Sequence, residues 1–366
     1  MFKLYLITTE FLEKFVSKEI ENLIDIKPKF IEECLFEIVF ENKKSFLENT
    51  YKLIHFSRTI DYLFLEVTNF NDLNNIENIN LENLSYFKKD FQFSIESFDD
   101  SLKTSNLNKI SDLIEKNSNL IKIQKEQEAE IEFETFKIEK DYIIALNLFG
   151  SSLCRRDYMV NSYEDSINPL FVNYLLFTLS FNKLEKFSLI DTNAQLGDIV
   201  IEAALFTPRK PLFVKEKRSL PIGKIFGAPI GLTSNPKDNN KILGVVLDNT
   251  TFKYIKENIS FSSQKIKLSS FDFDWLDVKF HKNDFDYLIT QFPEFESDEE
   301  QLEYEKEFFY QAEFIIKNQI CIFSKEELSL KELNKLKLKL ISKENLEYED
   351  ESILLYIIEK ISNQDS

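Results

Sequence analysis

The 366-residue sequence is poor in the residue types that metal sites, nucleophiles and tight turns most often need: two histidines, three cysteines and six glycines. Cys34, Cys154 and Cys321 are too few and too scattered for a disulfide framework or a zinc site. His55 and His281 have no ligand or nucleophile companions in the sequence, so neither reads as catalytic. No GxxxxGK phosphate loop is present. No apolar run reaches the roughly 18 to 20 residues of a membrane helix. The opening MFKLYLITTEFLEKF is broken by charges too early for a secretory signal. These absences point to a cytoplasmic setting with no metal and no membrane.

A basic excess is also missing. The chain has 45 Lys and Arg against 63 Asp and Glu, a net charge of −18. Such a balance repels a phosphate backbone unless cations gather locally. What the chain has in quantity is apolar and aromatic side chain: 43% hydrophobic residues, with 36 Phe and 14 Tyr. That is enough to build cores, and the length calls for at least two of them.

The first stretch reads as strand, helix, strand, helix, strand. FKLYLIT (2–8) is a strand, and Thr8 or Thr9 can cap a helix with Phe11, Phe15, Ile20, Leu23 and Ile24 on one stripe. CLFEIVFE (34–41) alternates, SFLENTYKLIHFSRTI (45–60) is helical, and DYLFLEVTNF (61–70) returns as a strand. After an Asn-rich loop at 71–85 come the strand FQFSIESF, the helix SNLNKISDLIEKNS and the strand EAEIEFETF, whose glutamates read as a solvated face. DYIIALNLFGSSLCRRDY (141–158) closes a second small αβ module.

From INPLFVNYLLFTLSF (167–181) onward the pattern changes. KFSLIDTN, KILGVVLDN, KIKLSSF, FDYLITQF, NQICIFS, LKLKLIS and SILLYIIEK are apolar runs separated by helical or loop segments. They predict a seven-stranded, mostly parallel, doubly wound sheet ending in an antiparallel hairpin. Residues 208–236 hold five of the eight prolines and three of the six glycines. With six Lys and Arg against Glu216 between 208 and 224, they read either as a solvated insertion or as an RNA or partner contact.

In this order the segments resemble the THUMP-domain RNA methyltransferases, which modify guanine N2 in tRNA or large-subunit rRNA. The likeness is carried by LYLITTEFLEKFVSKEIENL, where Phe11 replaces a glycine usual in the family, HFSRTIDYLFLEV with Arg58 and Thr59, SLKTSNLNKISDLI, LNLFGSSLCRRDY, INPLFVNYLLFTLSF and IEAAL. The resemblance implies an α/β protein of three parts: a ferredoxin-like module at 1–68, a THUMP module at 69–158, and a Rossmann-like class I methyltransferase-type domain at 165–366 with its insertion at 208–236. It also implies RNA contacts at Lys103, Arg155 and Arg156, although the two arginines suit pairing with nearby acids as well.

Active relatives carry a loop of the form Asp-Pro-x-Cys-Gly-Ser-Gly-Thr, whose bare backbone and helix start receive S-adenosylmethionine. Here the loop is DTNAQLGD: Asp191 and Gly197 persist, while Ala194, Gln195, Leu196 and Asp198 add side chains and a charge. The site is expected to be shut. Val246 stands where relatives have a ribose-binding acid, with Asp248 two residues on as its candidate substitute. Asp272 is the candidate for adenine's exocyclic amine, with Asp274 second. Where relatives have Asn-Pro-Pro-Tyr for the flipped target base, this chain has Gln291-Phe292-Pro293-Glu294. Phe292 or Phe295 would stack on a base, or else pack at the strand end.

The leading expectation is therefore an RNA-binding protein, of tRNA or rRNA, with a non-catalytic methyltransferase-type domain, serving as a scaffold or as the companion subunit of an active enzyme. The alternatives are an active guanine-N2 methyltransferase using S-adenosylmethionine in an altered pocket, and a protein-interaction module without RNA.

Overall fold

The structure is a computed structural model. It describes residues 1–73, 76, 79–98, 102–123, 129–162, 166–206, 210–212, 220–227, 240–246, 248–271 and 275–361. Two compact units emerge: Met1–Arg155 with Glu216–Thr233, and Arg156–Lys215 with Ser234–Ser366.

In the first unit the strands β1 (Phe2–Ile7), β2 (Lys29–Glu32), β3 (Leu35–Phe40), β4 (Tyr62–Phe70), β5 (Gln92–Ser97), β6 (Ile121–Lys122), β7 (Ile131–Ile138) and β8 (Asp141–Asn147) form one sheet. Their order is β2-β3-β1-β4-β8-β7-β5-β6. The two αβ modules read from the sequence thus share a sheet, joined where β4 pairs antiparallel with β8, Phe64 opposite Asn147 and Phe70 opposite Tyr142. Helices α1 (Glu10–Ile24), α2 (Lys43–Phe56) and α3 (Thr104–Asn117) accompany it. The α1 stripe Leu12, Val16, Ile20 and Ile24 is buried, as are Leu4 and Leu6 of β1. Asn42 caps α2 by accepting from the Ser45 amide at 2.9 Å. The buried Glu19 accepts from Ser57 Oγ at 2.7 Å and from the amides of Arg58 and Thr59 at 3.0 Å each, which fixes the turn into β4.

In the second unit α4 (Pro169–Thr178) packs on α5 (Asp198–Phe206). The strands are β9 (Ser188–Asp191), β10 (Lys241–Val245), β11 (Lys267–Ser269), β12 (Phe285–Gln291), β13 (Ile316–Ser324), β14 (Leu338–Tyr348) and β15 (Glu351–Lys360). They run β11-β10-β9-β12-β13-β15-β14. The pairs from β11 through β13 are parallel, and β15 is antiparallel to both β13 and β14. The central strands β9 and β10 are apolar runs buried nearly throughout because both faces are covered, whereas the edge strand β14 alternates buried and exposed residues. Helices α7 (Asn249–Ser262), α8 (Leu276–Lys279) and α9 (Asp298–Ile315) complete the unit.

Two expectations need correction. The described part of the 208–236 segment is not a solvated loop. Its helix α6 (Pro221–Phe226) belongs with the first unit, where Phe226 meets Phe46 and Tyr86 at 5.5 Å each and the Ile222 amide donates to the Leu148 carbonyl at 3.2 Å. Of its basic residues, Lys210 in the second unit is buried and Lys224 in the first donates to the Glu130 carbonyl at 3.2 Å; the others lie outside the described residues. The glutamates of β7 are likewise half-buried rather than solvated. Burial, reinforced by Glu96 and Glu132, pushes the Glu134 carboxyl up to about 8.

Candidate cofactor and target-base site

Strand order reverses between β9 and β12, and in open α/β sheets ligands collect at the carboxyl ends of such strands. Asp191 ends β9 there, buried, accepting from the Asn193 amide at 3.1 Å and hydrogen-bonded to Thr290. Burial pushes its carboxyl up to about 7, against the opposing effect of those bonds.

The loop that follows is fastened on both sides. Toward β12, Thr192 Oγ1 donates to Thr290 Oγ1 at 3.3 Å and Asn193 Nδ2 to the Gln291 carbonyl at 3.0 Å. Toward β10, the Ala194 amide donates to the Val245 carbonyl at 2.9 Å. Asn258 of α7, fully buried, donates from Nδ2 to the carbonyls of Leu196 and Asn161 at 3.0 Å each, while its Oδ1 accepts from the Asn161 amide at 3.1 Å. Ala194 and Leu196 are buried and Gln195 is half-buried at φ 36°.

The two glycines that the site retains serve packing. A Cβ on Gly244 would lie 3.0 Å from Ala194 Cβ, so the loop rests directly on β10. Gly197 has φ +92°, and a Cβ there would meet Ile255 Cγ1 at 2.8 Å. At Gly197 the space a Cβ would need is taken by Ile255 of α7.

The helix start is also changed. Asp198 opens α5 with 4% exposure, and its Oδ1 has no hydrogen-bond partner among the described residues. Burial, then Glu202 and Asp191, push its carboxyl up to about 7. A helix N-terminus favours an anion, and here that place is taken by a buried carboxyl of the chain itself, which keeps its proton up to about 7. At the ribose position Val246 is buried, and Asp248 is occupied elsewhere: as the α7 N-cap it accepts from Thr250 and Thr251 amides at 2.8 and 2.9 Å. Hydrogen bonds from Thr251 hold its exposed carboxyl below the usual range. Asp272 and Asp274 lie outside the described residues. Tested on these contacts, the residues present do not fit S-adenosylmethionine.

On the β12 side the predicted trio separates. Phe292 is a core residue, its ring 4.7 Å from Phe308 and 5.1 Å from Tyr304, so of its two readings it takes strand-end packing and not base stacking. Pro293 is half-buried. Gln291 lines a cavity of about 280 Å³ with Asn168, Phe171, Lys325, Asp350 and Glu351. Its volume is just below the roughly 300 to 1,000 Å³ of ligand pockets. Burial, then Glu349, raise the Glu351 carboxyl, with Lys325 opposing. Of these, only Gln291 is singled out by the sequence; the signal for Asn168 is the Asn-Pro helix start, where its Oδ1 accepts from the Leu170 amide at 2.9 Å.

The basic residues also part. Arg155 and Lys103 are exposed in the first unit. Arg156 is buried in the second, donating from Nε to Glu202 Oε1 at 3.0 Å, where Tyr158 (2.9 Å) and Asn173 (3.0 Å) also bond. Its expected RNA contact is therefore corrected to a core ion pair. Among the described residues no three acid, His or Cys groups converge on a metal, and no helix is long and apolar enough to cross a membrane.

No family model matches the chain, and no curated protein does. Solved structures do. SMU.472, in complex with SAH, has TM-score 0.72 at 17% identity over 97% of this chain and 97% of that one. TrmN from Thermus thermophilus has TM-score 0.68 at 13% identity over 99% and 100%. A predicted N6-adenine-specific DNA methylase from Listeria monocytogenes has TM-score 0.70 at 16% identity over 97% and 95%. At such identities the likeness speaks for the fold, and the chain has the α/β, Rossmann-like fold of class I methyltransferases.

Proposed function

We propose that this chain is an RNA-binding protein whose methyltransferase-type domain does not transfer methyl groups, with tRNA or rRNA as its partner. The observation that carries the non-catalytic part is the closed loop at 192–197, laid on Gly244 and latched by Asn258. Methyl transfer needs the donor held within near-attack distance, and about 1 Å of displacement can cost about 100-fold. Loss of the bare backbone, of the ribose acid and of the stacking aromatic act together against it.

RNA binding is supported by two surface cations in the first unit. Arg155 follows the Ser152 turn, and Lys103 stands exposed where α3 begins without a side-chain cap, an arrangement that favours an anion. The 1–68, 69–158 and 165–366 modules remain part of this proposal, and the TrmN and DNA methylase likenesses favour a nucleic-acid partner. The test pairs a methyl-transfer assay on tRNA and rRNA with gel shifts over a salt series. The expected result is no incorporation above background and a salt-dependent shift; incorporation, or no shift at low ionic strength, refutes the corresponding half.

A further inference from the structure

We infer that the amino-terminal edge of the seven-stranded sheet is a second RNA-contacting surface, where a row of lysines follows a phosphate backbone at the end of the unit opposite Asp191. This rests on the proposed RNA binding and adds to it a surface separate from Lys103 and Arg155.

The parallel strands β9 to β13 all start at one edge of the sheet; β14 starts there too, and β15 ends there. Each of the seven brings a lysine to that edge. In sheet order they are Lys267, Lys241, Lys186, Lys282, Lys317, Lys360 and Lys337, none more than three residues from the end of its strand. The registers align them: Lys241 is opposite Ser188, Phe285 opposite Ile316, and Leu338 opposite Lys360. With neighbouring strands about 4.8 Å apart, the row is about 29 Å long.

The row keeps its charge. Lys186, Lys267 and Lys282 are exposed and meet no acid within ion-pair distance among the described residues. The acids at this edge are largely committed elsewhere. Asp284 holds Lys241 at 2.7 Å, and Glu359 faces Lys339 in the β14–β15 register. Asp286 accepts from the Ser188 amide and hydroxyl at 2.8 and 2.7 Å and stands 3.9 Å from Lys317, whose side chain is 64% exposed. Glu185, exposed, is the exception.

Lys360 organises the middle of the row. Its side chain is 11% exposed, 3.4 Å from Glu313, and its Nζ donates to Asn283 Oδ1 at 2.9 Å, to the Ile316 carbonyl at 3.0 Å and to the Glu313 carbonyl. These bonds tie the starts of β12 and β13 to the end of β15. Burial lowers its ammonium, Glu313 opposes, and Lys282 and Lys337 push the same way as burial. Cations therefore crowd this spot, and an anion laid across it relieves them.

The chemistry fits phosphate better than a protein surface. Protein interfaces are depleted in lysine and have an apolar centre. Here the apolar residues Phe187, Phe285, Ile316 and Leu338 are buried, and Ile361 is exposed only at the flank. Lysine meets phosphate as a point charge, without the planar fork of arginine, so the row supplies affinity without reading bases. In a chain of net charge −18, such a strip confines a polyanion to one edge.

The experiment is fluorescence anisotropy of labelled bulk tRNA with the full chain over a salt series. The Lys186→Gln/Lys267→Gln/Lys282→Gln variant is expected to bind about tenfold more weakly at low salt, and to reduce the salt slope by about 2 to 3, as the loss of three phosphate contacts requires. Lys253→Gln/Lys256→Gln/Lys306→Gln removes the same charge from exposed positions of α7 and α9 and should change affinity less than about twofold. Melting temperatures of the row variant and wild type should agree, since its three lysines have no ion pair to lose. Absence of wild-type binding at low ionic strength would sink the RNA reading and the row together. Wild-type binding with equal losses in the two variants, or with none in the row variant, would overturn the row alone. Row-dependent binding to phosphatidylserine vesicles with tRNA binding intact would assign the edge to a membrane surface and likewise overturn it.

Discussion

Asn258 Nδ2 donates at 3.0 Å to the Leu196 carbonyl, so a side chain of α7 holds the loop that follows β9. The same amide group also grips Asn161 in both directions. Asn258→Ala strips several buried backbone groups of their partners and is expected to cost about 2 to 4 kcal/mol. Urea denaturation measures this, and hydrogen exchange at the Ala194 and Gly197 amides should accelerate with it.

Gly197→Ala is expected to destabilise by about 1 to 3 kcal/mol, because φ +92° disfavours any Cβ and this one would sit 2.8 Å from Ile255 Cγ1. The double variant Gly197→Ala/Ile255→Ala relieves the contact but not the backbone. Thermal melting of the four proteins in the cycle should show partial rescue. Full rescue would mean that the backbone conformation costs nothing.

Stability should fall as pH rises through neutrality. Asp198 and Asp191 are buried carboxyls whose folded values, about 7, lie above those of exposed carboxyls. Each binds a proton in the native state that the unfolded chain has released above about pH 4, so its stabilisation is complete at low pH and lost on reaching about pH 7. Asp198→Asn removes one such titration and should flatten the melting profile between about pH 4 and pH 7, gaining about 2 to 4 kcal/mol at the upper end. An unchanged slope would contradict the burial of this carboxylate.

The parallel sheet was legible because its central strands are uninterrupted apolar runs, a pattern that burial on both faces imposes directly on sequence. At the loop after β9 the sequence shows only that Gln195, Leu196 and Asp198 add bulk and charge; the contacts that fasten it come from distant segments. Pairing between distant segments was not legible. The two short edge strands β2 and β6, and the β4–β8 pairing that merges two modules into one sheet, depend on registers no local pattern encodes. Of the cavity lining only Gln291 was visible, since Asn168, Lys325 and Glu351 come from three separate parts of the chain.

Arg156 misled for a different reason. A charged residue beside another arginine reads as surface by default, because charges are rarely buried unless paired. Its partner Glu202 lies 46 positions away on α5. Arg156→Met is accordingly expected to cost about 3 to 5 kcal/mol by leaving Glu202 uncompensated. Arg155→Ala should leave stability unchanged while weakening tRNA binding and lowering its salt dependence. A gel shift with melting controls separates the two; reduced tRNA affinity for folded Arg156→Met alone would return that residue to the RNA surface.

The most direct test is isothermal titration of the full-length wild-type chain with S-adenosylmethionine. The latched loop, the buried Asp198 and the commitment of Asp248 to capping α7 predict no saturable heat up to millimolar ligand. A micromolar dissociation constant with one-to-one stoichiometry would contradict the account at its centre.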